Sequence, residues 1–228
     1  MCKLTLGGKM NYFILKNHIN NTEIFSGYYS SFIKCLEDAV GKNTDLTYVN
    51  LKNLNLSNAN LDNAYMPGAL LSGTNLTGAN LSESNLRETI FYNCSLYNTC
   101  LSYSNLQGSD FRSANFGATL IDGSNMMECI FSTLSCFDLD FYFTQNMKGC
   151  LFASADGSMH KMSTPPIILK GLMSKNIIIL DNAVKIDVNI FPKTILPSLV
   201  KKLGSYINSP LANNNWPRCD FKETEKLA

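Results

Sequence analysis

The chain has 228 residues, of which 16% are charged, and a formal net charge of +1. That length accommodates one substantial core with additions at its ends, and so small a charge offers no bulk attraction to nucleic acid or to a membrane surface. No window holds about 18 consecutive apolar residues, so no transmembrane helix is expected. The opening MCKLTLGGKM has no apolar run and does not read as a secretory signal.

In chain order, NYFILKNHINNTEIFSG first suggests two short strands around the turn NN. In YSSFIKCLEDAVGK, residues Phe32, Cys35, Leu36, Ala39 and Val40 fall at helical spacing, and Gly41 stands where a C-cap belongs. Residues 1–43 therefore read as an N-terminal unit, hairpin plus helix.

From Leu46 onward the period changes to five, which suits neither a helix nor a strand. Every fifth residue is large and apolar through Leu51, Leu56, Leu61, Met66 and on to Phe131, with Cys136 and Phe141 closing a series of twenty. Two places before each stands a residue that is mostly small: Ala59, Ala64, Ala69, Thr74, Ala79, Ser84 and so on. The physical reading is a square coil with five residues to a side, in which each side sends one large and one small residue inward. Four sides make a coil of about twenty residues, and coils stacked at ~4.8 Å form a rod of about 24 Å. Residues twenty apart should then stack, with Leu51, Leu71, Phe91, Phe111 and Phe131 on one side and Leu61, Leu81, Leu101, Ile121 and Phe141 on another.

The pattern NANLDNA…LSGTNLTGANLSESNL…GSDFRSANF resembles the pentapeptide-repeat family, whose consensus is A-(D/N)-L-X-X. The resemblance implies an all-β solenoid: a right-handed quadrilateral β-helix of about five coils, with an N-terminal hairpin-helix cap and a small α+β C-terminal cap. The division it suggests is 1–43 for the first cap, 44–145 for the repeats and 146–228 for the C-terminal region with a loose tail. Tyr65, Leu70, Ile90, Leu120 and Ile130 depart from the consensus by standing where Asn or Asp is usual. The layout FILKNHINNTEIF…GLMSKNIIILD is also similar to pentapeptide proteins of bacteriophages and prophages, which implies no established activity.

Beyond the repeats, Phe137, Tyr142, Phe143 and Phe152 fall off the inward register and call for cover. The β-rich runs of PPIILKGLMSKNIIILDNAVKID are expected to supply it. PKTILPSLVKKLGSYI suggests a short helix with Leu199, Val200, Leu203 and Ile207 on one face, a candidate contact for the cap or for a second copy.

Little in the sequence points to catalysis. The two histidines, His18 and His160, have no nucleophile and carboxylate grouped with them, and LGGK lacks the spacing of a phosphate loop. Of eight cysteines, Cys94, Cys100, Cys129 and Cys136 fall in the repeat register. They read as small core residues of a reduced, cytoplasmic protein rather than zinc ligands. No enzyme, metal or cofactor is expected.

Charge is the one uneven feature. Residues 44–142 carry nine acids and three bases, a net −6, which leaves +7 on the flanks. Asp62, Glu83, Asp122 and Asp140 fall along one side of the coil with Tyr103 among them, forming the candidate partner-binding face. Two functions stay open. One is a protein-binding scaffold that presents Tyr92, Tyr97 and Tyr103 to a cellular protein, with homodimerisation through the C-terminal helix as a variant. The other is a DNA mimic that inhibits a host DNA-processing or defence enzyme, as the family resemblance implies for relatives that bind DNA gyrase. Neither needs nucleic acid or a membrane as a direct partner.

Overall fold

In this computed structural model, residues 9–172, 175–187 and 189–207 are described. The repeats wind into a coil with a step of twenty residues. Asn50 bridges Leu70, Asn55 bridges Asn75, Asn60 bridges Asn80 and Tyr65 bridges Asn85, all parallel, and the series continues to Asn105 and Asn125. These four ladders run along the axis as single bridged pairs and form no closed sheet. On one ladder alone they lengthen into strands, β3 (Asp110–Phe111), β4 (Ile130–Phe131) and β5 (Leu151–Ala153).

Most corners are turns in which the carbonyl of the large residue accepts the N–H three places on, as Ala59 donates to Leu56 at 3.1 Å. The residue before that donor takes a left-handed conformation, φ +59° at Asn58, which is the third position of a type II turn. Asparagine tolerates this conformation better than most residues, which accounts for its frequency at corners. Asparagines just ahead of the large residue act differently. Asn75 Oδ1 accepts the N–H of Thr77 at 3.0 Å, and its Nδ2 donates to Asn55 Oδ1 of the previous coil at 3.2 Å.

All twenty large positions are buried. The small column does more than leave room. Thr74 Oγ1 donates to the Leu51 carbonyl at 2.6 Å, Thr99 Oγ1 to Leu76 at 2.8 Å and Ser109 Oγ to Leu86 at 2.8 Å. These hydroxyls tie one coil to the next inside the buried core, where an unpaired hydroxyl would be costly. Cys94 and Cys129 take the same place, their thiols donating to the Leu71 and Leu106 carbonyls. Burial pushes the Cys94 thiol up to about 12.

The expected phenylalanine column is present. Phe111 lies between Phe91 and Phe131 with centroids 4.7 and 5.4 Å away and rings within 5° of parallel. The strict period then breaks. Two 3-10 helices, Leu134–Asp138 and Phe141–Phe143, interrupt the fifth coil, and Asn125 bridges Asn146, twenty-one residues on. Phe141 is buried as expected but leaves its ladder and meets Phe131 edge-on. Leu134, expected inward, is exposed, because the 3-10 turn rotates it out. The ladder resumes past position 145 with Met147, Cys150 and Phe152 buried, and the Cys150 thiol donates to the Met126 carbonyl at 2.8 Å. One inserted residue is absorbed where the chain leaves the coil in a tighter helix.

At the N-terminal end, β1 (Asn11–Lys16) and β2 (Glu23–Tyr29) form an antiparallel hairpin. It leads to α1 (Phe32–Gly41), whose Ser31 side chain accepts the Lys34 N–H. Gly41 is not the cap. It is the last helical residue, and Asn43, at φ +53°, takes the left-handed position, with its N–H on Val40 and that of Thr44 on Ala39. The helix buries Cys35, Leu36, Ala39 and Val40 in the same core as the repeats, and Glu37 accepts the Asn60 N–H at 3.0 Å. His18 Nε2 lies 2.9 Å from the Gly68 carbonyl, which fixes the hairpin to the coil.

At the other end, β6 (Met159–Lys161) folds back on β5. Four antiparallel strands follow, β7 (Ile167–Leu172), β8 (Lys175–Ile179), β9 (Ala183–Ile186) and β10 (Asn189–Pro192). Helix α2 (Leu196–Ile207) is the last element among the described residues. The Asp181 side chain binds the Ser163 N–H and the Thr164 hydroxyl, pinning this sheet to the end of β6. Phe137 and Phe152 cover one another at 5.0 Å, and Ile178, Leu180 and Ala183 join the core. Among the described residues no helix is long and apolar enough to cross a membrane.

Two measurements test this account. Phe111→Ala should cost about 3–5 kcal/mol in urea unfolding, because stacked neighbours on both sides cannot collapse onto the void. The second concerns Tyr29, whose phenol donates to the Asp38 carboxylate and is thereby pushed up to about 12, while bonds from Lys42 and Tyr29 hold Asp38 low. Tyr29's contribution is complete below pH 10 and is lost as pH rises through about 12; Asp38's holds above pH 3.8 and is lost as pH falls further. A phenolate absorbance titration should show a late-titrating group that Tyr29→Phe removes.

Candidate functional site

The side of the coil singled out by charge is built from two adjacent columns. One holds Asp62, Ser82, Ser102, Asp122 and Tyr142; its neighbour holds Asn63, Glu83, Tyr103, Gly123 and Phe143. Backbone bonds hold the stack together: Glu83 N–H donates to Ser102 at 3.0 Å, Tyr103 N–H to Asp122 at 2.7 Å and Gly123 N–H to Phe143 at 2.7 Å. At ~4.8 Å per coil, Glu83 and Tyr103 are immediate neighbours, and Asp62 and Asp122 stand about 14 Å apart. The structure thus brings Asp62, Glu83, Tyr103 and Asp122 to one face, with Asp140 exposed at its edge. Residues 60–63, 80–83, 100–103, 120–123 and 140–143 include no Lys or Arg, so no base on this side of the coil offsets the acids. The one ion pair of the repeats among the described residues, Arg112 with Asp110 at 2.6 Å, lies on another side.

The acids differ in what they do locally. Asp62 accepts Ser82 Oγ at 2.6 Å and Asn63 Nδ2 at 2.9 Å, so part of its hydrogen-bonding capacity is already used. Glu83 is an exposed corner residue at φ +54°. Tyr103, also a corner at φ +59°, is 70% exposed and leans over Gly123. A Cβ added to Gly123 would stand 2.5 Å from the Tyr103 ring, and Gly123 itself has φ +65°. Glycine is needed there on both counts.

This geometry is that of a known repeat. Residues 35–63, 55–91 and 89–132 match the family described as Pentapeptide repeats (8 copies). The repeat segment thus matches the pentapeptide-repeat model over residues 35–132. No curated protein matches the chain. Among solved structures it is similar to a pentapeptide repeat protein of the Arabidopsis thaliana thylakoid lumen, 20% identical over 41% of this chain and 70% of that one, TM-score 0.25. It is also similar to Rfr23 from the cyanobacterium Cyanothece 51142, 21% identical over 47% and 82%, TM-score 0.23. A third is HetL, involved in heterocyst differentiation regulation in Nostoc sp. strain PCC 7120, 20% identical over 52% and 62%, TM-score 0.22.

The aromatic and apolar residues singled out in the sequence are distributed over several sides of this coil and over α2. Tyr92, Tyr97 and Tyr103 do not make one patch. They fall on separate columns, Tyr92 beside Arg112 and Tyr97 over Gly117. Instead the aromatic end of the acidic face consists of Tyr103 with Tyr142, 73% exposed, Phe143, 63% exposed, and Leu120, 52% exposed. The sequence signal was there, since Tyr142 and Phe143 are off the inward register; what misled was the assumption that the C-terminal sheet covers them. On α2, Leu199 is half-buried and Val200 exposed, while the side chains of Leu203 and Ile207 lie outside the described residues.

The hairpin turn between β5 and β6 holds a second cluster. Ser158 Oγ donates to Asp156 Oδ1 at 2.7 Å and lies 2.9 Å from His160 Nε2. The carboxylate touches the serine rather than the imidazole, so nothing orients the histidine as a base, and the cluster serves as a turn.

Gly123→Ala is expected to destabilise by about 1–2 kcal/mol in urea unfolding. Repeating it in a Tyr103→Gly background should recover part of that loss, which a double-mutant cycle reads directly.

Proposed function

We propose that the chain acts without catalysis, as a rigid rod that binds a protein partner through the acidic and aromatic face at Asp62, Glu83, Tyr103, Asp122 and Asp140. Pentapeptide-repeat proteins are generally non-enzymatic modules of protein interaction. In this reading the coil is right-handed, with about five turns, and is closed by the hairpin and helix at one end and by the α+β region at the other. The supporting observation is the face itself: uncompensated acids and exposed aromatic rings aligned on a scaffold whose backbone is bonded coil to coil. Fixed aromatic side chains make good anchors because little side-chain entropy remains to be lost on binding. The phage or prophage type, a location in the cytoplasm and dimerisation through α2 belong to this proposal.

The same face supports a second reading, a DNA mimic directed at a DNA-processing or defence enzyme. It is favoured by the absence of any base among the acids and disfavoured by their spacing, because duplex DNA carries one charge per ~1.7 Å. The two readings part on salt. A tagged chain is used to capture partners at low and at about 0.5 M salt, with and without Tyr103→Ala. A partner kept at high salt and lost with Tyr103→Ala is the expected result. A DNA-processing enzyme released by salt and by added duplex DNA, and lost with Glu83→Gln and Asp122→Asn, would establish mimicry instead.

A further inference from the structure

Where the coil meets its C-terminal hairpin, two hollows share a wall made by Ser132 and Ser154. The smaller, about 220 Å³, is lined also by Leu134, Phe152, Lys185 and Ile190. The larger, about 500 Å³, opens between Tyr92, Arg112 and Met159.

One polar group here lacks what burial normally supplies, and a cation lines the same hollow. Lys185, on β9, is 9% exposed; its stem is buried, and its ammonium makes no hydrogen bond or ion pair among the described residues and keeps contact with solvent. Ser154 Oγ is buried without a hydrogen-bond partner, alone in this among the side-chain atoms of the described residues. The backbone of Ser154 is engaged in the turn, its N–H on Ser158 and its carbonyl accepting Gly157, so the hydroxyl is what remains. Buried hydroxyls are nearly always paired, and a cation that lines the same hollow attracts an anion. An oxyanion in the hollow would satisfy both. Ser132 adds a third donor, because its oxygen accepts the Ser113 N–H at 2.8 Å and its own proton remains to be given. Arg112 is not that counter-charge's partner, since its guanidinium is bonded to both oxygens of Asp110.

We propose that this is a binding site for a small phosphate monoester. Three donors, the Lys185 ammonium and the Ser154 and Ser132 hydroxyls, suit the three terminal oxygens of a phosphoryl group, and charge-assisted bonds of this kind are the strong ones. The ester's organic body lies in the larger hollow, where the exposed Tyr92 ring and the Met159 thioether give apolar faces for a planar ring. Together the hollows are in the size range of small-molecule sites. This site stands apart from the acidic face and does not depend on its partner.

The test is calorimetric titration of the full chain with phenyl phosphate, inorganic phosphate and phenol. Phenyl phosphate is expected to bind at least tenfold more tightly than inorganic phosphate, and phenol not at all. Lys185→Met should weaken binding at least tenfold and Ser154→Ala about threefold, while Lys52→Met on the first coil changes it less than twofold. Circular dichroism establishes that each variant is folded; should Lys185→Met fail to fold, Ser154→Ala and Lys185→Arg, the latter retaining binding, carry the test. Unchanged binding in folded Lys185→Met, or no saturable binding below roughly 10 mM, overturns the proposal. So does tighter binding of a 5′-phosphorylated DNA dodecamer than of phenyl phosphate, which would make the site one for nucleic-acid ends.

Discussion

The structure depends on one constraint: the bore of the coil is too narrow for two large side chains at the same level and too dry for an unpaired hydroxyl. Each side of each coil therefore spends one position on a large apolar group and one on a small group. Where the small residue is polar, its hydrogen finds a backbone carbonyl, of the coil behind as Thr74 finds Leu51 and Thr99 finds Leu76, or of its own corner as Ser104 finds Leu101 and Ser124 finds Ile121. Backbone pairing at the twenty-residue step and this internal side-chain pairing act in the same direction, so the stack is rigid along its axis. Cysteine enters the series as a third small donor, and its burial keeps it a thiol: the cause that raises Cys94 is desolvation, and it acts on Cys129 and Cys136 as well.

The same constraint frees the outside. With two residues of every five committed inward, the others are chosen by corner geometry and by whatever the surface does. Corners demand a left-handed residue, and the protein meets that demand with Asn, Gly and occasionally Glu or Tyr. Placing Tyr103 at a corner has a structural consequence one coil later, where only Gly123 leaves room for the ring. The exposed ring lies against Gly123, and the face on which it stands combines exposed aromatic groups with acids that no base on the same side neutralises. Such a surface is electrostatically poised toward a basic or apolar-basic partner.

Both ends of the rod are handled by elements that do not repeat. The N-terminal hairpin and helix extend the apolar core past Leu46 and pair the backbone of the first coil, as Asn50 N–H bonds Lys16 and His18 N–H bonds Tyr48. At the C-terminal end the coil slips by one residue through two short 3-10 turns before the antiparallel sheet takes over. That junction, where regular packing is interrupted, is also where a buried hydroxyl, Ser154 Oγ, is left without a partner beside Lys185. Irregularity in an otherwise periodic molecule is the natural place for a cavity.

The sequence alone determined the coil. A period of five with alternating large and small columns has one economical physical solution, and the stacking of Phe91, Phe111 and Phe131 follows from a count of twenty. It determined also that Asp62, Glu83, Tyr103 and Asp122 share a face, since their spacing is set by the same count. What it did not determine lies where the count fails. That Phe143 and Tyr142 stay exposed, that Leu134 turns outward, and that Asn43 rather than Gly41 ends the first helix are decided by packing between segments of unlike periodicity. The hollow at Lys185 is of the same kind, because it joins β9 to Ser132 and Ser154 across more than fifty positions of sequence, at its widest between residues 132 and 185. Local pattern fixes a repeat because each unit meets only its neighbours; a junction is fixed only when the whole chain has folded around it.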